Sequence, residues 1–178
     1  MKAAAIHTSR DTETKQALFS KKGGELKLSG PALVELLRAV LDKGKPFRFR
    51  AKGFSMSPFI KDNDVITVFP LTDASIRSGD VVAFIRPEMK KLVIHRVVWR
   101  KGEYFHIKGD NIPHTDELIP ETNILGRIVR VERNGKEVFF GLGPERFLIA
   151  LLVRMRIFPA LLPFLWGLVR PVVKRRPS

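Results

Sequence analysis

The sequence predicts a mainly β protein: an antiparallel, folded barrel-like domain with an N-terminal helix and a C-terminal apolar helical tail. Three observations predict it. Short runs with period-two alternation recur from Phe47 onward, as half-buried strands require. Gly, Asp and Asn clusters punctuate those runs at short intervals, which is the grammar of antiparallel turns. Ahead of them, Leu33, Val34, Leu36, Leu37, Val40 and Leu41 recur at helical spacing instead.

The 178 residues suffice for one domain with a real core. Apolar residues at 44% and charged residues at 28% exclude wholesale disorder. The absence of cysteine excludes disulfides, thiolate metal sites and a cysteine nucleophile. The net charge of +14, from 32 basic and 18 acidic residues, calls for an anionic neighbour, with nucleic acid and anionic lipid as the generic choices. Solvated strand faces account equally for the groups at Lys43–Lys52 and Lys90–Lys101.

Residues 1–27 are polar, mixed in charge and lack a secretory signal core, so they are expected to form a flexible arm. The β-rich domain is expected over 28–145, led by a helix over 31–43. Ser29 can cap that helix, Pro31 suits its first turn and Gly44 ends it. Strands are expected at Phe47–Ala51, Asp64–Phe69, Val81–Ile85, Leu92–Trp99, Tyr104–Lys108 and Ile124–Glu132. Asn134-Gly135 then makes a hairpin to Glu137–Phe140. The tail, 146–178, is rich in Leu, Phe, Ile and Val, with Arg154 and Arg156 interrupting it and Pro159 and Pro163 bending it. Its longest apolar segment, Ile157 to Val169, falls short of the ~20 residues that span a bilayer. An interfacial anchor with cationic flanks for an anionic membrane surface is one reading, and a core-packing or dimerising helix is the other.

Chemistry concentrates in Gly53-Phe54-Ser55-Met56-Ser57-Pro58 and, forty residues on, Ile94-His95-Arg96. A serine hydroxyl becomes nucleophilic when a neighbour removes its proton, and histidine suits that task at neutral pH. Spacing alone also fits a turn serine and an unrelated strand histidine. His7, His106 and His114 match no metal-ligand spacing, so neither metal nor cofactor is expected.

Taken with Ser78-Gly79-Asp80-Val81-Val82, Lys108-Gly109-Asp110-Asn111 and Gly126-Arg127, these segments resemble the type I signal peptidase family and its wider clan, which includes the LexA-like self-cleaving repressors. The resemblance runs from about Phe49 to Val131. It implies a signal peptidase/LexA-like catalytic fold, with Ser55 as nucleophile and His95 as general base. Most bacterial members carry lysine at the position of His95, so the chain resembles the Ser-His branch found in archaea, the endoplasmic reticulum and sporulating bacteria. In that branch an aspartate orients the base. The ungapped count puts it at Asp116, with Asp110 as the alternative, able either to orient the base or to pin its loop.

The resemblance further implies that the Ser55 backbone N–H faces the oxyanion, and that Gly53, in place of a hydroxyl residue, adds no side-chain donor. Met56 would wall the substrate site and Pro58 would fix the chain leaving the turn. Phe54, Phe59 and Phe84 are expected near the cleft, or else in the core. The implied activity is serine endopeptidase cleavage after small residues in an extended peptide or preprotein segment. With no leading anchor in the sequence, the catalytic domain is expected at a membrane on the cytoplasmic side. Nucleic acid is not expected as a partner. Two other readings are a LexA-like self-cleaving regulator, which a single leading helix and a histidine base disfavour, and a catalytically idle membrane-docking module.

Overall fold

A computed structural model describes residues 19–22, 25–28, 30–71, 76–113 and 117–155. Strands β1 (Phe19–Lys22) and β2 (Glu25–Leu28) pair antiparallel as a separate two-stranded sheet, with Lys22 opposite Glu25. This hairpin lies inside the segment expected to be a flexible arm. Helix α1 (Gly30–Leu41) follows, and Gly44, at a φ of +69°, turns the chain away from it.

The main sheet contains β3 (Phe47–Arg50), β4 (Val65–Pro70), β5 (Val81–Arg86), β6 (Lys91–Lys101), β7 (Tyr104–Lys108), β8 (Glu117–Pro120), β9 (Ile124–Arg133) and β10 (Lys136–Glu137). Its order is β3-β4-β9-β5-β6-β7-β8, with β10 paired to β9, and every neighbouring pair is antiparallel. The sheet curls into a half-barrel. Register shifts at Thr67/Val68, Ala83/Phe84 and Val97/Trp99 add the local twist that such curling needs. The predicted mainly β, barrel-like class is therefore the one observed, although β8 was not read and β10 is shorter than expected.

Strand β5 explains how the core is divided. Val81 and Ala83 join Leu37 and Leu41 of α1, Met56, Ile66, Val68, Ile128 and Val131 on one face. Val82 and Phe84 join Val97, Phe105, Ile107, Ile119 and Ile124 on the other. Covered on both faces, β5 can be apolar throughout. Gly126 lies where β9 passes β4. A Cβ there would approach the Phe69 carbonyl oxygen to 2.5 Å, so side-chain absence lets the strands close.

Helix α2 spans Arg146–Arg154, at the start of the expected helical tail. Its Ile149 and Val153 are buried with Phe59 and Val98, so this part of the tail packs as an element of the domain. The opposite side of α2 exposes Phe147, Leu148, Leu151 and Met155. The apolar segment Ile157 to Val169 and the terminal basic residues lie outside the described residues. Among the described residues, no helix is long and apolar enough to cross a membrane.

Candidate active site

The turn over 53–60, between β3 and β4, carries Ser55. Gly53 has a φ of +95°, and its N–H donates to Asp62 Oδ1 at 2.9 Å. The Ser57 N–H donates to the Phe54 carbonyl (3.1 Å) and the Ile60 N–H to that of Met56 (3.0 Å), which tightens the turn. Arg133, at the end of β9, ties it down. Its guanidinium grips buried Asp64 through Nε (2.9 Å) and Nη2 (2.7 Å), and also donates to the carbonyl oxygens of Pro58 and Phe59.

The Lys108-Gly109-Asp110-Asn111 segment holds the turn from the other side. The Asn111 N–H donates to the Ser55 carbonyl at 2.8 Å, and Asn111 Nδ2 donates to the Phe54 carbonyl at 3.3 Å. A Cβ on Gly109 would come within 2.8 Å of that same Ser55 oxygen, so the approach requires glycine. Arg96 then ties this segment to the rest of the domain. Its Nε and Nη2 each donate to one oxygen of Asp110 at 2.8 Å, and Nη1 donates to the carbonyls of Gly79 and Gly141. Ser78-Gly79-Asp80 is in turn latched to β6, with the Gly79 N–H on the Val97 carbonyl and the Val97 N–H on that of Asp80, both at 2.8 Å. The motifs separated in sequence thus meet around one buried guanidinium.

His95 sits on β6 opposite Val82 and is 3% exposed, with its ring centroid 6.0 Å from that of Phe84. Its Nδ1 lies 3.4 Å from Glu117 Oε1, at the start of β8. Among the described residues, Nδ1 has no hydrogen-bond partner, so the Glu117 contact is an ion-pair approach and not a formed hydrogen bond. Catalytic hydrogen bonds are often loose before substrate arrives and shorten as charge develops. Arg86 clamps Glu117 with a fork, Nε to Oε2 at 2.8 Å and Nη2 to Oε1. Burial pushes the Glu117 carboxyl up, but its interactions with His95 and Arg86 outweigh burial and hold it at about 2. The same contact to Glu117, against the opposing effect of burial, raises the pKa of Arg86. A carboxylate held ionised beside an imidazole ring can orient it and stabilise the imidazolium.

Ser55 and His95 line one cavity of about 810 Å³. Gly53, Met56 and Ile112 line it as well, with Phe49–Lys52 on one wall and Lys91–His95 on the other. Strand β3 is an edge of the sheet, and β6 pairs with β7 only from Arg96 onward, so among the described residues no strand lies on the β7 side of Lys91–His95.

Of the residues singled out in sequence, Ser55, His95, Gly53 and Met56 come together in this cavity. Pro58 lies farther along the turn, after a cis Ser57–Pro58 peptide bond. Asp110 is 1% exposed with both oxygens on Arg96, the loop-pinning arrangement, while among the described residues Glu117 is the carboxylate that approaches His95. Asp116 lies outside the described residues. Phe54 is exposed, and Phe59 and Phe84 belong to separate core clusters away from the cavity lining. His106 stacks on Trp99 at 3.7 Å between ring centroids. Among the described residues, no group of three or more His, Asp or Glu side chains could hold a metal ion.

Glu117 and Arg86 were missed. The available signal was the Glu117-Leu118-Ile119-Pro120 run, a short strand whose first residue follows Asp116 directly. Comparison with known families matches residues 23–129, more than half of the chain, to the Peptidase S24-like model. No curated protein matches the chain. The matched span runs from residue 23 into β9 and contains the Ser55 turn, His95 and Glu117, so the chain belongs to the Peptidase S24-like family, and its half-barrel is a LexA-like serine peptidase fold.

Proposed function

We propose that the protein is a serine endopeptidase of the signal-peptidase type, cutting an extended peptide segment after small residues in trans. The observation that carries this is the convergence of Ser55 and His95 on one cavity, with the Glu117–Arg86 pair behind the histidine. In this reading His95 accepts the Ser55 Oγ proton as Oγ attacks the scissile carbonyl. The Ser55 N–H faces the oxyanion, and the imidazolium is stabilised by Glu117. His95 then protonates the leaving amine, and water, activated by the same ring, hydrolyses the ester. The β7 side of β6 at Lys91–His95, unpaired among the described residues, supports binding of substrate as an added strand. A histidine at the base position favours this reading over a LexA-like self-cleaving one.

The test is incubation of the full chain and its Ser55→Ala variant with a peptide library rich in small residues. Fragments of library peptides, made only by the unsubstituted protein, support the proposal. Fragmentation of the protein's own chain alone would favour the self-cleaving reading, and cleavage by both proteins would sink the role of Ser55.

Glu117 acts in this scheme as a positioning residue. Glu117→Gln is expected to lower kcat by about a hundredfold with a smaller change in KM, and Glu117→Asp to restore part of the loss. Stability supplies a second readout. A carboxyl whose folded value is depressed to about 2 stabilises the fold above its unfolded value near 4.5. That contribution is lost as pH falls through the folded value. Acid titration from about pH 5 to pH 2 should therefore show a loss in the unsubstituted protein that Glu117→Gln lacks. If Asp116→Asn reproduces the kinetic change and Glu117→Gln does not, the assignment passes to Asp116.

A further inference from the structure

We propose that the cleft selects acidic peptides, an inference that rests on the peptidase reading and names its substrate class. Arg50, Lys52, Arg86, Lys90 and Lys91 all line the cavity that contains Ser55 and His95, and among the described residues no Asp or Glu lines it. The floor is apolar, with Leu33, Phe49, Met56, Leu92 and Ile94 contributing. An apolar trough with a one-signed rim fits a peptide whose apolar or small side chains point inward and whose carboxylates reach the rim.

The basic residues are also placed at defined distances from the chemistry. Arg50, at the end of β3, and Lys52 lead into Gly53 and the Ser55 turn. Lys91 is four residues from His95 along β6, roughly 13 Å at the rise of an extended strand. Lys90 lies in the turn just before it. A substrate strand running along the Lys91–His95 edge would therefore bring a residue about four positions from its scissile bond to Lys90 and Lys91. Arg86 is forked onto Glu117, so its charge is partly answered from behind, and Lys52 donates to Asn63 Oδ1. The lysines at the far end of the trough are the stronger selectors. A fully single-stranded nucleic acid would satisfy the rim charge but would place bases on an aliphatic floor whose one aromatic residue is Phe49. A peptide is the better fit.

The experiment uses the full chain and three sets of fluorogenic dodecapeptides with an Ala-rich core. Glu, Gln or Lys is scanned through each flanking position. The expected result is that Glu four or five positions from the cut raises kcat/KM about tenfold over Gln, with Lys below Gln, as a few partly exposed ion pairs would produce. Raising salt from about 50 mM to about 500 mM should collapse the preference. Lys90→Glu/Lys91→Glu should reverse it at the same position and at no other. Equal cleavage of all three sets overturns the selectivity and leaves the peptidase reading standing.

If no set is cleaved, the peptidase reading falls, and fluorescence anisotropy with Ser55→Ala decides the selectivity alone. Tightest binding of the Glu set then supports it, and equal binding overturns it. Tighter binding of a twelve-residue oligothymidylate than of the Glu set would overturn the peptide assignment.

Discussion

His95→Gln is expected to lower kcat/KM by about 10⁴-fold while the folded domain persists, because glutamine occupies similar space but cannot take the Ser55 proton. The size of the effect follows from the serine. With its proton retained, the hydroxyl is a weak nucleophile, and the leaving amine also loses its proton source. His95 is 3% exposed, packed near Phe84 and beside Glu117, so a stability change accompanies the substitution and must be separated from it. Thermal unfolding together with rates measured well below the midpoint separates the two. A variant that is folded at the assay temperature and still retains more than about a tenth of the activity would rule out His95 as the general base.

The largest stability effect is expected at Arg96. Its guanidinium is fully buried, paired with a fully buried Asp110 carboxylate, and donates to two backbone carbonyls from separate segments. Removing one member of such a pair leaves an uncompensated buried charge, which costs about 3–5 kcal/mol. Arg96→Met is therefore expected to lower the denaturation midpoint sharply, and Asp110→Leu to do so by a comparable amount. The double variant should be less destabilised than the sum of the two singles, since neither charge is then left alone. Urea unfolding of the three variants gives the comparison. Strictly additive losses would show that the pair does not act as a unit.

Activity should fall in both single variants, because the Asp110 loop carries the Gly109 and Asn111 contacts to Ser55. In this domain the motif that looks catalytic in sequence is largely a brace. The Ser55 turn, which carries the proposed nucleophile, is held by backbone hydrogen bonds that the brace supplies.

Much of this was legible in the residues, and the failures have physical causes. The alternation of Phe47–Arg50 and the apolar run of β5 marked strands, since both are direct images of burial: one face covered in β3, two in β5. Ser55 and His95 could be singled out because acylation demands those groups. Glu117 could not be singled out by counting, because the path of the preceding loop decides which acidic residues return to the sheet. The structure brings Glu117 there through the pairing of β8 with β7, where Glu117 lies opposite Ile107. Asp110, by contrast, has its carboxylate drawn to Arg96, a contact between residues that no period links. The hairpin β1–β2 and the packed side of α2 were obscured by composition. A charged segment reads as an arm and an apolar one as an anchor until pairing and packing partners are known.

The most direct measurement is the acid-quenched capture of the acyl-enzyme formed from an activated small-residue acyl donor, followed by peptide mapping. An acyl group on Ser55, formed slowly in His95→Gln and absent from Ser55→Ala, is the expected result. Turnover of the donor by Ser55→Ala at the unsubstituted rate, or acylation at another residue that tracks turnover, would contradict it.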